Sequence, residues 1–145
     1  MNRVPMSHLR YPGDGLYYQG ATPFTGVGVY PQDGSGVLAE EEYRDGLLCG
    51  VRREWHPSGR LASEAECRHG VSHGRTREWS DGGLLLGDSA YEYGYLVESR
   101  RWDEGGDLVE EFTLAAGDPG YDLLVAMRES LGGEGGASSA GEPRA

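Results

Sequence analysis

A glycine recurs every 24 residues in this chain, and no other feature limits its possible folds so tightly. Gly26, Gly50 and Gly74 keep that spacing, and so do Gly46, Gly70 and Gly94. Other residues hold the same phase. Arg-Glu-Trp at 53–55 returns at 77–79, Glu40 is answered by Glu64 and Asp88, and Tyr43 by Cys67 and Tyr91. A fixed period of this length marks a repeat architecture, in which each unit is one supersecondary element stacked on the next.

The best-formed unit is 50–74, GVRREWHPSGRLASEAECRHGVSHG. Val51, Arg53 and Trp55 alternate with Arg52 and Glu54, and His56-Pro57-Ser58-Gly59 then reverses the chain. A second alternating run, Leu61 to Cys67, returns. Alternation with period two on both sides of a turn is a β-hairpin, and one hairpin alone is marginal in water, so it needs neighbours. Copies cover 24–47, 48–71, 72–95 and 96–114; the fourth is a residue short and has Glu98 where the repeat glycine belongs. The spacing predicts a mostly β fold, an elongated antiparallel meander of hairpins with turns near 31–36, 56–59, 80–83 and 103–106. Tyr43, Trp55, Leu61, Cys67, Trp79, Leu85, Tyr91 and Trp102 form the expected repeat core, with Trp55 and Trp79 mostly buried near Leu61 and Leu85.

Around the array (15–114), residues 1–14 read as a loose lead-in without periodicity. Within 115–131, Asp118-Pro119 offers an N-cap carboxylate and a first-turn proline to a short helix. That helix is expected to cover the open end of the sheet. Residues 132–145 are mostly Gly, Ser, Ala and Glu, the composition of a disordered tail.

Composition narrows the partners. The chain has 25 glycines in 145 residues and 37% hydrophobic residues, which suits a thin sheet better than a two-layer core. The net charge is −11, and all thirteen basic residues are arginine. Such a chain is repelled by nucleic-acid phosphates and anionic lipid, and its sign favours a basic protein partner or simple solubility. The N-terminus lacks the apolar run of a signal peptide and no segment nears membrane-spanning length, so the expectation is a soluble, cytoplasmic protein.

No enzyme chemistry is expected. Ser7, Ser58, Ser63 and Ser72 lack a nucleophile-elbow context. Cys67, His69 and His73 are close in sequence, but no Cys-x-x-Cys or His-Glu-x-x-His pair accompanies them, and Cys67 holds a tyrosine phase. No metal, cofactor-binding or catalytic residue is therefore assigned. The candidate partner-binding residues are charged. Glu40-Glu41-Glu42 is the densest acidic run, with Glu40 and Glu42 on one face as a rim that steers a basic partner. Arg52 and Arg53, Arg75 and Arg77, and Arg100-Arg101 stack into a ladder interleaved with Glu54 and Glu78. The ladder is either cross-strand pairing on an exposed face or a contact surface, in which Arg52, Arg75 and Arg77 would meet an acidic partner or lipid.

The run Gly-x-x-x-Glu-Trp, turn, Gly-x-Leu-x-x-Glu, then Gly-x-x-x-Gly resembles the MORN-repeat variant. Pro23-Phe24-Thr25-Gly26 ahead of the array is similar to the YwqK-type antitoxins of bacterial toxin–antitoxin systems. The resemblance covers about residues 15–114 and departs at the fourth copy, the helix and the tail. It implies an elongated β-meander that neutralises a toxin by binding it; the alternative it leaves open is a MORN-type scaffold or membrane-surface adaptor.

Overall fold

In a computed structural model the chain is described over residues 2–31 and 37–131. Strands β1 (Arg3–Pro5), β2 (Tyr18–Gln19), β3 (Thr22–Pro23), β4 (Gly26–Pro31), β5 (Val37–Arg44) and β6 (Leu47–Trp55) come first. They are followed by β7 (Leu61–Arg68), β8 (Val71–Trp79), β9 (Leu85–Glu92), β10 (Tyr95–Trp102), β11 (Leu108–Thr113) and one helix, α1 (Tyr121–Leu131). Nine strands make one sheet in the order β1-β4-β5-β6-β7-β8-β9-β10-β11, while β2 and β3 pair separately. From β4 onward every neighbour is antiparallel and consecutive; only β1 joins in parallel, beside β4.

The period-24 glycines do two different jobs. Asp45-Gly46, His69-Gly70 and Tyr93-Gly94 are two-residue turns with φ of 51° and 87°, 50° and 87°, and 50° and 85°. Positive φ at both positions is the type I′ turn that matches strand twist. Each turn glycine also donates its N–H to the preceding hairpin: Gly46 to the Phe24 carbonyl at 2.8 Å, Gly70 to Leu48 at 2.7 Å, and Gly94 to Ser72 at 2.8 Å. These bonds stitch unit to unit. Gly50 and Gly74 instead sit in bulges at φ of 110° and 118°. Here the carboxylates of Glu42 and Glu66 occupy the space a Cβ would need.

The turns at the other end repeat as well. His56–Arg60, Ser80–Leu84 and Asp103–Asp107 each close with an N–H to carbonyl bond of 2.8–2.9 Å between first and last residue. The turn expected near 31–36 falls largely on 32–36, outside the described residues. The missing residue of the fourth copy is located too. In the β5–β6 and β7–β8 pairs, three residues (49–51 and 73–75) face the single Glu42 or Glu66. In the β9–β10 pair, Val97 alone is extra. The shorter bulge needs no left-handed residue, so Glu98 fits there.

The sheet is one layer for most of its length, and β6 is half-buried at every position. Among the described residues the core cluster lies at the β4–β6 end, where residues 6–25 fold across one face, and Leu124 of α1, 1% exposed, is buried outside it. Val4, Phe24 and Tyr43 are buried there, with Met6, Leu9, Tyr17 and Leu48 against them. The first fourteen residues are thus not a loose lead-in. Arg3–Pro5 is a strand too short to show alternation, and Val4 is buried by it. The expected repeat core is corrected in the same way. Tyr43 is 5% exposed, but Trp55, Leu61, Cys67, Trp79, Tyr91 and Trp102 are only half-buried and Leu85 is exposed, because no second layer lies over them.

The helix also departs from expectation. It begins at Tyr121, and the Asp118 carboxylate accepts the N–H of Ala115 at 2.8 Å instead of capping. Arg128 binds Glu92 at 2.7 Å and Gly120 lies on the Tyr95 ring, which fixes α1 to the Tyr93-Gly94 turn. It does not cover β11, whose six residues are all exposed.

Candidate protein-interaction surface

Register sorts the charges by face. Directly opposed residues in neighbouring strands share a face, so side chains form columns across the sheet. One column runs Glu40–Arg53–Glu64–Arg77–Asp88–Arg100–Glu111, alternating in sign through seven strands. The period of 24 creates it, since Glu40, Glu64 and Asp88 share one phase and Arg53 and Arg77 another. Arg53 Nε lies 2.8 Å from Glu64 and its Nη1 3.7 Å from Glu40. Arg77 is 3.8 Å from Asp88, and Arg100 is 3.0 Å from Glu111. Arg75, on the same face, reaches Asp88 at 2.9 Å. Val51, Glu64, Glu66, Arg75 and Arg77 line a shallow depression midway along this face.

Glu40 is not the exposed rim that the acidic run suggests. Its side chain is 15% exposed, held by Arg3 at 2.7 Å and facing Arg53, and Glu42 lies against Gly50. The arginine stripe is also two stripes. Arg53, Arg75, Arg77 and Arg100 share the column face, whereas Arg52 and Arg101 alternate to the other. All six have an acidic partner within salt-bridge distance, Arg52 with Glu41 and Glu54, and Arg101 with Glu78 at 2.9 Å.

On that second face Glu41 is 8% exposed. Its carboxylate accepts the Tyr43 hydroxyl at 2.6 Å, the Arg52 Nε–H at 2.6 Å and the Tyr30 hydroxyl at 3.4 Å. Burial, then the Glu41 bond, pushes the Tyr43 hydroxyl far above its ordinary value, and burial with the Glu41 charge moves Tyr30 the same way. Burial pulls Arg52 down, but its bonds to Glu41 and the charge of Glu54 outweigh this and raise it. Nothing in the Glu-Glu-Glu run distinguishes Glu41 except its parity. Across the rest of this face the column is small and uncharged: Ala65, Thr76, Ser89 and Ser99.

The tryptophans mark the turn end of the column face. Trp55 opposes Leu61, Trp79 opposes Leu85 and Trp102 opposes Leu108, equivalent places beside one-residue bulges. Cys67 and Cys49 are free, and burial raises the Cys67 thiol. Among the described residues, no group of three or more His, Cys, Asp or Glu is placed to hold a metal ion. Gly70-Val71-Ser72-His73-Gly74 does spell Gly-x-Ser-x-Gly, but it leads from a hairpin turn into β8 and not from a strand into a helix. Its glycines belong to the repeat.

What the repeat pattern conceals is β11. Among the described residues it ends the sheet, paired on one side only, with Leu108 48% exposed, Val109 61% and Phe112 36%. Glu104 and Asp107 in the preceding turn, and Glu110 in the strand, have no salt-bridge partner among the described residues. These three acids place uncompensated negative charge beside the exposed apolar edge.

No protein-family model matches the chain, and no curated protein matches it. The likeness to MORN repeats rests on the residues alone.

Proposed function

We propose that this chain is a non-enzymatic binding protein, an antitoxin or immunity-type factor that neutralises a basic toxin by direct contact. The observation that carries the binding reading is the partition of charge. Arg52, Arg53, Arg75, Arg77, Arg100 and Arg101 are matched to acids of the sheet, whereas Glu104, Asp107 and Glu110, beside the exposed, apolar edge at β11, have no salt-bridge partner among the described residues. A rigid acidic surface attracts a basic protein and raises its association rate. The antitoxin assignment itself draws on the repeat resemblance. The adaptor alternative needs arginines available to lipid, and Arg52, Arg53, Arg75, Arg77, Arg100 and Arg101 are engaged by carboxylates. Among the described residues no helix is long and apolar enough to cross a membrane.

The test is genetic and then kinetic. A neighbouring gene whose product kills only when this chain is deleted supports the reading; if deletion never sensitises cells to that product, the antitoxin assignment fails. With the purified pair, association should slow steeply as salt rises, because exposed charges are screened within about 8 Å at physiological ionic strength.

A further inference from the structure

We infer that the free edge of β11 accepts one extended strand of a protein partner, and that this strand carries two adjacent arginines or lysines opposite Glu110 and Glu111. The inference rests on the protein-binding reading above and gives it a place and a chemistry.

An edge strand presents a row of unpaired N–H and C=O groups, a template on which another strand can pair. Proteins usually blunt such edges. The opposite end of this sheet is blunted, since β1 has three residues, one of them Pro5, and lies beside the covered core. β11 has six residues, no proline, and apolar side chains exposed at Leu108, Val109 and Phe112. Its glutamates are the feature that selects a partner.

The charge column supplies the complementarity. It alternates in sign through seven strands and stops on an acid, Glu111. On the inner side, the doublet Arg100-Arg101 already stands opposite Glu111 and Glu110. A strand added outside continues both columns only if it brings a basic doublet, with apolar residues next to it for Val109 and Phe112. Opposite charges facing each other stabilise a strand pair and like charges weaken it.

A second copy of this chain does not meet the requirement. Two β11 strands paired about a two-fold axis set Glu110 or Glu111 against a glutamate in every register that overlaps five or more of the six residues. The β1 edge of a second copy brings only Arg3. Residues 132–145 contain a single arginine, Arg144.

The probe is a synthetic peptide with the β10 sequence, YLVESRRW, which carries the right doublet, alongside the same peptide with both arginines changed to glutamate. The arginine peptide should bind the full chain at low salt and slow amide exchange along β11 while β10 stays protected. The variant E110R/E111R should bind it about tenfold more weakly and should now prefer the glutamate peptide, a reversal that also proves the variant folded. Equal affinity of wild type for both peptides, unchanged β11 exchange, or a dimer of the free chain joined through β11 would overturn the inference. Its failure is separable from that of the antitoxin reading. A neutralised toxin that binds E110R/E111R unchanged removes the edge and leaves the antitoxin; peptide binding without any neutralised toxin does the reverse.

Discussion

Glu41 lies between two acids in sequence, yet it alone of the three turns inward, where Tyr43 and Arg52 meet its carboxylate at 2.6 Å each. Removing it leaves a buried phenol without its partner and the Arg52 guanidinium with Glu54 alone. Glu41→Ala should cost about 1–3 kcal/mol in a denaturant melt, against less than about 0.5 kcal/mol for the exposed Glu110→Ala. Equal losses would mean that the inward network contributes nothing. Tyr43 supplies a pH signature. Its folded value lies well above the ordinary 10.0, so the folded state keeps a proton that the unfolded chain releases. Its contribution is complete below pH 10 and declines as the pH rises beyond that. Tyr43→Phe should flatten the alkaline limb of a stability–pH profile above pH 10; an unchanged limb would assign that limb to other groups.

Hairpins set the next scale, and their ends are unequal. The type I′ ends depend on glycine at φ near 87°. Gly70→Ala places a methyl group in the left-handed region and should cost about 1–2 kcal/mol, read as a lowered melting temperature. The opposite ends hold the tryptophans. Trp55 opposes Leu61 but is half-buried, so Trp55→Ala should cost about 1–3 kcal/mol, short of the ~3–5 kcal/mol of a fully buried ring. A loss of ~5 kcal/mol would show a second layer over that face. Turn positions, strand pairs and the tryptophan phase were all legible in the sequence, because alternation and turn chemistry are local. The depth of burial was not, since it depends on what lies above a face.

Among the described residues the sheet is close to one-dimensional: each hairpin touches its neighbours, and the first rests on the packed core. Such arrays tolerate loss of a complete unit. Deleting residues 68–91, 24 in all, joins Cys67 to Glu92 and keeps Glu64 opposite Arg100. That chain should unfold cooperatively with a strand-rich circular dichroism spectrum. Deleting 68–90 shifts the strand by one residue and turns each side chain to the wrong face, so it should lose cooperativity. If both deletions behave alike, phase is not what holds the sheet together.

The sequence by itself determined the meander and its period, since each follows from residue spacing and from the two faces of a strand, whereas the register replaced one arginine ladder interleaved with Glu54 and Glu78 by the column from Glu40 to Glu111. The sequence also held the answer to the fourth copy, whose missing residue is the contraction of one bulge. Only the tertiary structure decided the rest. Residues 6–25 fold back over one face and, with β1, bury Val4, Phe24 and Tyr43, an event no period announces. That fold-back makes Glu41 a buried acid. Arg3 and Arg53, by binding Glu40, keep it from being a free rim. The edge at β11 emerged only with the complete strand order, because a strand's exposure depends on which neighbour it lacks, and a missing neighbour leaves no mark in local sequence.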